Sequence, residues 1–248
     1  MIATISRQNK NYKVDLAQPL DISIPVKPGN AGVNAWYIPP PTIEPVQHQD
    51  WIAKVSEGAS VNFNNIQFNP HSHGTHTESA GHITSQFSSI HKLLDRFFFF
   101  AQVITLTPVI ENGDTILTSE MLSKSIFKIP EALIIRTLPN SYDKKSKDYS
   151  HTNWPYLTKE AAQWIHDQNI KHLLVDVPSI DREKDEGKLA AHKAFWGYPD
   201  QLRSNATITE LIFVENSIED GNYILNLQVA AFQNDAAPSR PVLYKIMQ

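Results

Sequence analysis

The chain has 248 residues, a formal net charge of −4 and no cysteine. That length suits one α/β domain with a substantial core, while the weak charge and the lack of a face-sized run of Lys and Arg argue against a nucleic-acid partner. Without thiols there can be no disulfide, thiolate metal site or cysteine nucleophile, so any metal must be held by nitrogen and oxygen. The first residues lack a basic-then-apolar leader and no apolar run reaches membrane-spanning length, so a cytoplasmic protein without a membrane partner is expected.

In chain order, the first third is punctuated by Pro19, Pro25, Pro28, Pro39, Pro40, Pro41 and Pro45. Proline fixes φ and removes a donor, which predicts short strands and extended loops here rather than helices. The stretch from Pro39 to Pro45 reads as a surface loop whose neighbours Trp36, Tyr37 and Trp51 need a core to pack into. Residues 61–68 (VNFNNIQF) alternate apolar with polar, as in a strand with one buried face leading into a histidine-rich segment. Residues 97–106, beginning with four phenylalanines, read as a buried strand.

A regular alternation follows. Thr118 looks like a helix cap, residues 132–137 form a buried strand, and the basic run Lys144, Lys145 and Lys147 reads as a solvated loop. Thr158 caps a second helix with Ala161, Trp164 and Ile165 at helical spacing, residues 173–177 read as a strand, and residues 189–196 suit a helix that, on its own residues, carries His192 at the surface. Residues 211–214 and 223–227 supply late strands. Strand, helix, strand in this order requires crossovers, which predicts an α/β fold: a mixed, partly parallel sheet with flanking helices, in a single domain spanning 1–248.

Four of the ten histidines, His71, His73, His76 and His82, lie within twelve residues together with Glu78. Neutral imidazole beside a carboxylate suits zinc, manganese or iron(II). His76 and Glu78 are two apart and so share one side of an extended segment, and Gly74 permits backbone that a β-carbon would block.

The same segment resembles the signature of the cyclase family, which includes kynurenine formamidases and isatin hydrolases: His-x-Gly-Thr-His-x-Asp-x-Pro-x-His, read here as Ser72-His73-Gly74-Thr75-His76-Thr77-Glu78-Ser79-Ala80-Gly81-His82. Asp15-Leu16 with Pro19-Leu20, the stretch from Pro155 to Leu157, residues 175–181, His192 and Val214-Glu215-Asn216 extend the resemblance nearly end to end. It implies a swivelling β/β/α-like fold, and a divalent metal centre of one or two ions, zinc foremost and manganese second, on His76, Glu78, His192 and Glu215. It also implies His82 as general acid/base, Asp181 near the site, a small-molecule substrate and a homo-oligomer, dimeric or higher. Two departures stand out. Glu78 replaces the family's Asp, and Ser72 occupies the place of the first histidine ligand, which leaves His71 and His73 as alternatives for that role. The reaction implied is metal-dependent hydrolysis of an amide, formamide or cyclic imide C–N bond. A binding protein without catalysis, or a metal-dependent cyclase or dehydratase, are the alternatives.

Overall fold

The computed structural model describes residues 1–7 and 10–247. Among them, eleven strands form the main sheet: β1 (Ile2–Arg7), β2 (Lys10–Asp15), β3 (Leu20–Asp21), β4 (His76–Glu78), β5 (Phe98–Leu106), β6 (Ala132–Thr137), β7 (His172–Val175), β8 (Thr207–Glu210), β9 (Gly221–Asn226), β10 (Ala236–Pro238) and β11 (Val242–Met247). Across the sheet they follow the order β1-β2-β11-β9-β5-β6-β7-β8-β4-β10, with β3 paired to β11. The run β5-β6-β7-β8 is parallel, and β9 and β4 join its two ends antiparallel. The expected mixed, partly parallel sheet is therefore present.

The parallel run is apolar on both faces, as a sheet covered on both sides must be. Successive side chains of a strand point to opposite faces. In β6, Leu133 and Ile135 join an apolar cluster with Ile104, Val175 and Ile208, whereas Ala132 and Ile134 join a second cluster with Val103, Leu174 and Leu225. Each fully buried Leu or Ile contributes about 1.5–3 kcal/mol. Helices α3 (Lys159–Asp167) and α4 (Ala190–Trp196) cover the first face through Ala161, Ala162, Ile165, Phe195 and Trp196. Thr118 and Thr158 act as the predicted caps, accepting from the backbone N–H of Met121 and Ala161. A short α1 (Ile90–Leu93) and α2 (Ser119–Ser125) complete the α-helices among the described residues, none long and apolar enough to cross a membrane.

Several expectations are corrected. Asn64–Gln67 is a strand, but it pairs only with Thr42–Pro45 in a two-stranded ladder and is exposed on both faces. Trp36 packs edge-on against Trp154, whereas Tyr37 and Trp51 remain exposed. Of the four phenylalanines at the start of β5, only Phe99 is fully buried. Residues 211–214 are buried but do not continue β8, because Leu211 takes a left-handed φ of 54° that breaks the strand after Glu210. The basic run is not simply solvated: Lys144 Nζ donates to Thr137 O at 2.7 Å and to Asp176 Oδ2 at 2.7 Å, while Lys145 lies over the Phe213 ring. His192 is buried inside α4 rather than on its surface.

Candidate metal and catalytic centre

Strand β4 lies between β8 and β10 near one end of the sheet. Alternation sends Thr77 to one face, where its hydroxyl pairs with Thr209 at 2.8 Å, and sends His76 and Glu78 to the other. The antiparallel register sets Glu210 directly opposite His76, and His76 Nε2 lies 3.4 Å from Glu210 Oε2. Gly74 makes the approach to β4 possible. Its φ is +151°, and a β-carbon there would meet Ile24 O at 2.9 Å. Thr75 then ties the segment down, its hydroxyl accepting from Ile24 N–H and donating to Leu211 O.

Three further elements converge on this strand. His192 comes from α4, whose first turn is held by Asp181: the carboxylate accepts from Ala191 N at 2.7 Å, from His192 N at 3.0 Å and from His192 Nδ1 at 2.6 Å. That last bond turns His192 Nε2 towards Glu78 Oε1, 3.1 Å away. His82 ends a short 3-10 turn, Ala80–His82, after β4. Asp235, immediately before β10, receives His82 Nδ1 and His71 Nε2 on the same oxygen, each at 3.2 Å. His71 Nδ1 lies 3.2 Å from Glu78 Oε2.

Electrostatics bind these groups together. Burial alone would raise the Glu78 carboxyl, but the surrounding His82, His192 and His71 hold it well below the usual range. Burial would likewise push His192 and His71 down. The carboxylates of Asp181 and Glu78 instead raise His192 well above its ordinary value, and those of Asp235 and Glu78 raise His71 to about 10. Hydrogen bonds from His71 and His82 lower the Asp235 carboxyl. Buried carboxylates of this density need positive charge nearby.

A divalent ion would meet the same need, and the donors fit one. His76 Nε2 and Glu78 Oε2 are buried without a hydrogen-bond partner, and His76 Nδ1 is engaged by Gly74 O, leaving Nε2 as the free ligand atom. The trios His71, His76, Glu78 and Glu78, His82, His192 each bring one ligand atom apiece within 4.8 Å of one another. They share Glu78, as a carboxylate between two ligand groups would be shared. The cluster opens onto a cavity of about 310 Å³ walled by Trp36, Ile38 and Leu189 and edged by Ser72, His82 and His192.

The structure thus brings together His71, His76, Glu78, His82 and His192, but not two other sequence candidates. His73 turns away, its Nδ1 accepting from the backbone N–H of Asn69 at 2.9 Å. Glu215, which the resemblance implied as a metal ligand, lies apart from the cluster, beside Lys145 at 3.3 Å and 30% exposed; the glutamate beside His76 is Glu210, at 3.4 Å. Sequence reasoning missed both Glu210 and Asp235. No signal local in sequence marked Glu210, whose place opposite His76 comes from the antiparallel pairing of β8 with β4.

A family model described as "Putative cyclase" matches residues 14–182 of this chain, more than half of it. The kynurenine formamidase of Bacillus cytotoxicus is 23% identical over 232 residues, covering 93% of this chain and 96% of that protein. That of Bacillus anthracis is 25% identical, covering 94% and 97%. Among solved structures, an isatin hydrolase from Ralstonia solanacearum has a TM-score of 0.64 at 17% identity, covering 92% of this chain and 91% of that one.

Proposed function

The chain belongs to the putative cyclase family, and from that premise we propose that it is a metal-dependent hydrolase cleaving the amide, formamide or cyclic imide C–N bond of a small acyl substrate. One observation carries the reading: two histidine-carboxylate trios share the buried Glu78, and their His71, His82 and His192 line a cavity with an apolar wall. The kynurenine formamidase and isatin hydrolase relatives support the same reaction class.

In this reading His71, His76, Glu78, His192 and Glu210 hold the metal, with zinc foremost and manganese second. When bound, a divalent ion supplies Lewis acidity towards a carbonyl and towards water. The chain's own residues do the rest. Asp181 fixes the tautomer of His192 by accepting its Nδ1 proton. Asp235 holds His82 through Nδ1, which leaves Nε2, 3.9 Å from Glu78 Oε2, as the atom that accepts a proton from the attacking nucleophile and returns it to the departing nitrogen. Trp36, Ile38 and Leu189 exclude water from one side of the cavity and pack against the organic part of the substrate.

The test is turnover by metal-loaded protein on a panel of formamides, lactams and esters, with His82→Ala alongside. The expected result is hydrolysis of at least one formamide or lactam and its loss in the variant. An inactive metal-loaded protein, or a His82→Ala variant of equal rate, would sink the proposal.

A further inference from the structure

Trp36 and Ile38 belong to the apolar wall of the cavity. Tyr37, between them, is exposed and sends its hydroxyl to Glu183 Oε1, to which it donates at 2.5 Å. Glu183 itself is buried, and its carboxylate accepts two more bonds, on Oε1 from His151 N and on Oε2 from Asn153 N at 2.7 Å. All three donors belong to residues with left-handed backbone. Their φ values are 61° at Tyr37, 66° at His151 and 48° at Asn153, and Trp36 adds a fourth at 65°. None is glycine, and of these types only Asn and His are at all common in that region; the others keep it only where their surroundings hold them. The root of the wall loop is tied elsewhere. Asn34 N donates to Lys147 O, Asn34 O accepts from Tyr149 N, and Asn34 Nδ2 closes the loop on Ile38 O at 3.0 Å. The tip has the Tyr37 hydroxyl on Glu183, Tyr37 N on Ser150 Oγ at 3.1 Å, and the Tyr37 ring 4.6 Å from that of His151.

Resting on the reading of this cavity as the substrate site, we propose that Glu183 is a positioning residue: it latches the loop of residues 34–38 to residues 150–153 and so holds Trp36 and Ile38 against the organic part of a bound ligand. Glu183 lies outside both the cavity lining and the two metal-binding trios, so it acts through the wall alone. A charged acceptor serves this role better than a neutral one, because one carboxylate takes three donors from two loops while offering no donor of its own. Loosening the latch moves the wall and leaves the histidine cluster in place. The affinity for a ring is thereby separated from the affinity for a metal-binding head group.

Acetohydroxamate and benzohydroxamate are the probes, since they share a metal-chelating head and differ by a ring. Their Kd values are measured by calorimetry on metal-loaded wild type, Tyr37→Phe and Glu183→Gln. Tyr37→Phe keeps Glu183 and removes one exposed hydroxyl, so it tests the latch where Glu183→Gln fails to fold. With the closed wall less populated, Kd for benzohydroxamate rises by about 3- to 10-fold in each variant, while that for acetohydroxamate stays within about twofold. In the ligand-free variants, hydrogen exchange quickens in peptides covering 34–38 and 150–153 and not in α3. A ratio of the two Kd values unchanged from wild type overturns the proposal. So does an equal weakening of both probes, unchanged exchange in both loops, or a wild type that binds benzohydroxamate no more tightly than acetohydroxamate. Absence of turnover on the formamide, lactam and ester panel sinks the hydrolase reading alone, because the hydroxamate ratio requires no reaction.

Discussion

Replacing Asp181 by Asn changes one atom in a carboxylate that accepts three hydrogen bonds. Oδ2 takes His192 Nδ1 at 2.6 Å and His192 N at 3.0 Å, and Oδ1 takes Ala191 N at 2.7 Å. An Asn has one acceptor oxygen, so in either orientation its NH₂ group faces an N–H donor. If the oxygen stays with His192, the start of α4 loses its partner at Ala191. If it swaps, His192 Nδ1 faces a donor and its proton moves to Nε2, the atom that points at Glu78. The helix loses one charge-assisted bond, about 1.5–3 kcal/mol, and removal of a group that orients a metal-binding histidine lowers metal affinity or activity by about 10- to 100-fold. Urea unfolding measures the first effect, and competition with a chromophoric chelator, together with kcat/KM, measures the second. A folded Asp181→Asn protein that binds metal and turns over within twofold of wild type would refute the assignment of His192 as an oriented ligand.

Glu210→Gln is expected to weaken metal binding by at least about tenfold and Glu215→Gln by less than twofold, because Glu215 is engaged by Lys145 and Tyr142 rather than by the histidine cluster, surface contacts of a kind worth about 0–1 kcal/mol each; the reverse order by chelator competition would restore Glu215 as the ligand. In the same assay His71→Ala lowers affinity and His73→Ala leaves it within about twofold, since only His71 reaches Glu78. Lys144→Met removes the cation facing the fully buried Asp176, and urea unfolding should show a loss of about 3–5 kcal/mol. His172 sets a pH dependence. Burial, with Arg96 and Lys171 nearby, pushes its imidazole down to about 3. Its contribution is therefore complete above an unfolded pKa of about 6.5 and is lost as pH falls from there towards 3. Between pH 7 and pH 5 wild type should lose about 2 kcal/mol more stability than His172→Asn in paired urea titrations, and parallel curves would contradict a buried neutral His172.

Much of the fold was legible because its central strands are long apolar runs flanked by helix caps. Residues 132–137 and the caps Thr118 and Thr158 follow from local chemistry alone, and the structure places them where periodicity predicts. What failed did so for tertiary reasons. Residues 211–214 are as apolar as any strand, yet one left-handed residue at Leu211 ends the pairing. The alternation in residues 61–68 is real, but no second layer covers that ladder. The lysines of 144–147 looked solvated because nothing in their neighbourhood in sequence reveals Asp176, thirty-two residues on.

The site divides along the same line. His76 and Glu78 follow from two-residue spacing on one strand, whereas Glu210 depends on an antiparallel register that sequence spacing does not encode. A turn sends His71 and His73 in different directions: Asn69 O accepts from both Ser72 N and His73 N, while Asn69 Oδ1 accepts from His71 N. This turn carries His71 over Glu78 and Asp235 and folds His73 back onto Asn69. One imidazole is thereby moved back by one residue along the chain, and the position it leaves is filled by the small hydroxyl of Ser72. The departure from the family signature at Ser72 is therefore accompanied by an imidazole from the preceding residue, His71, at 3.2 Å from Glu78.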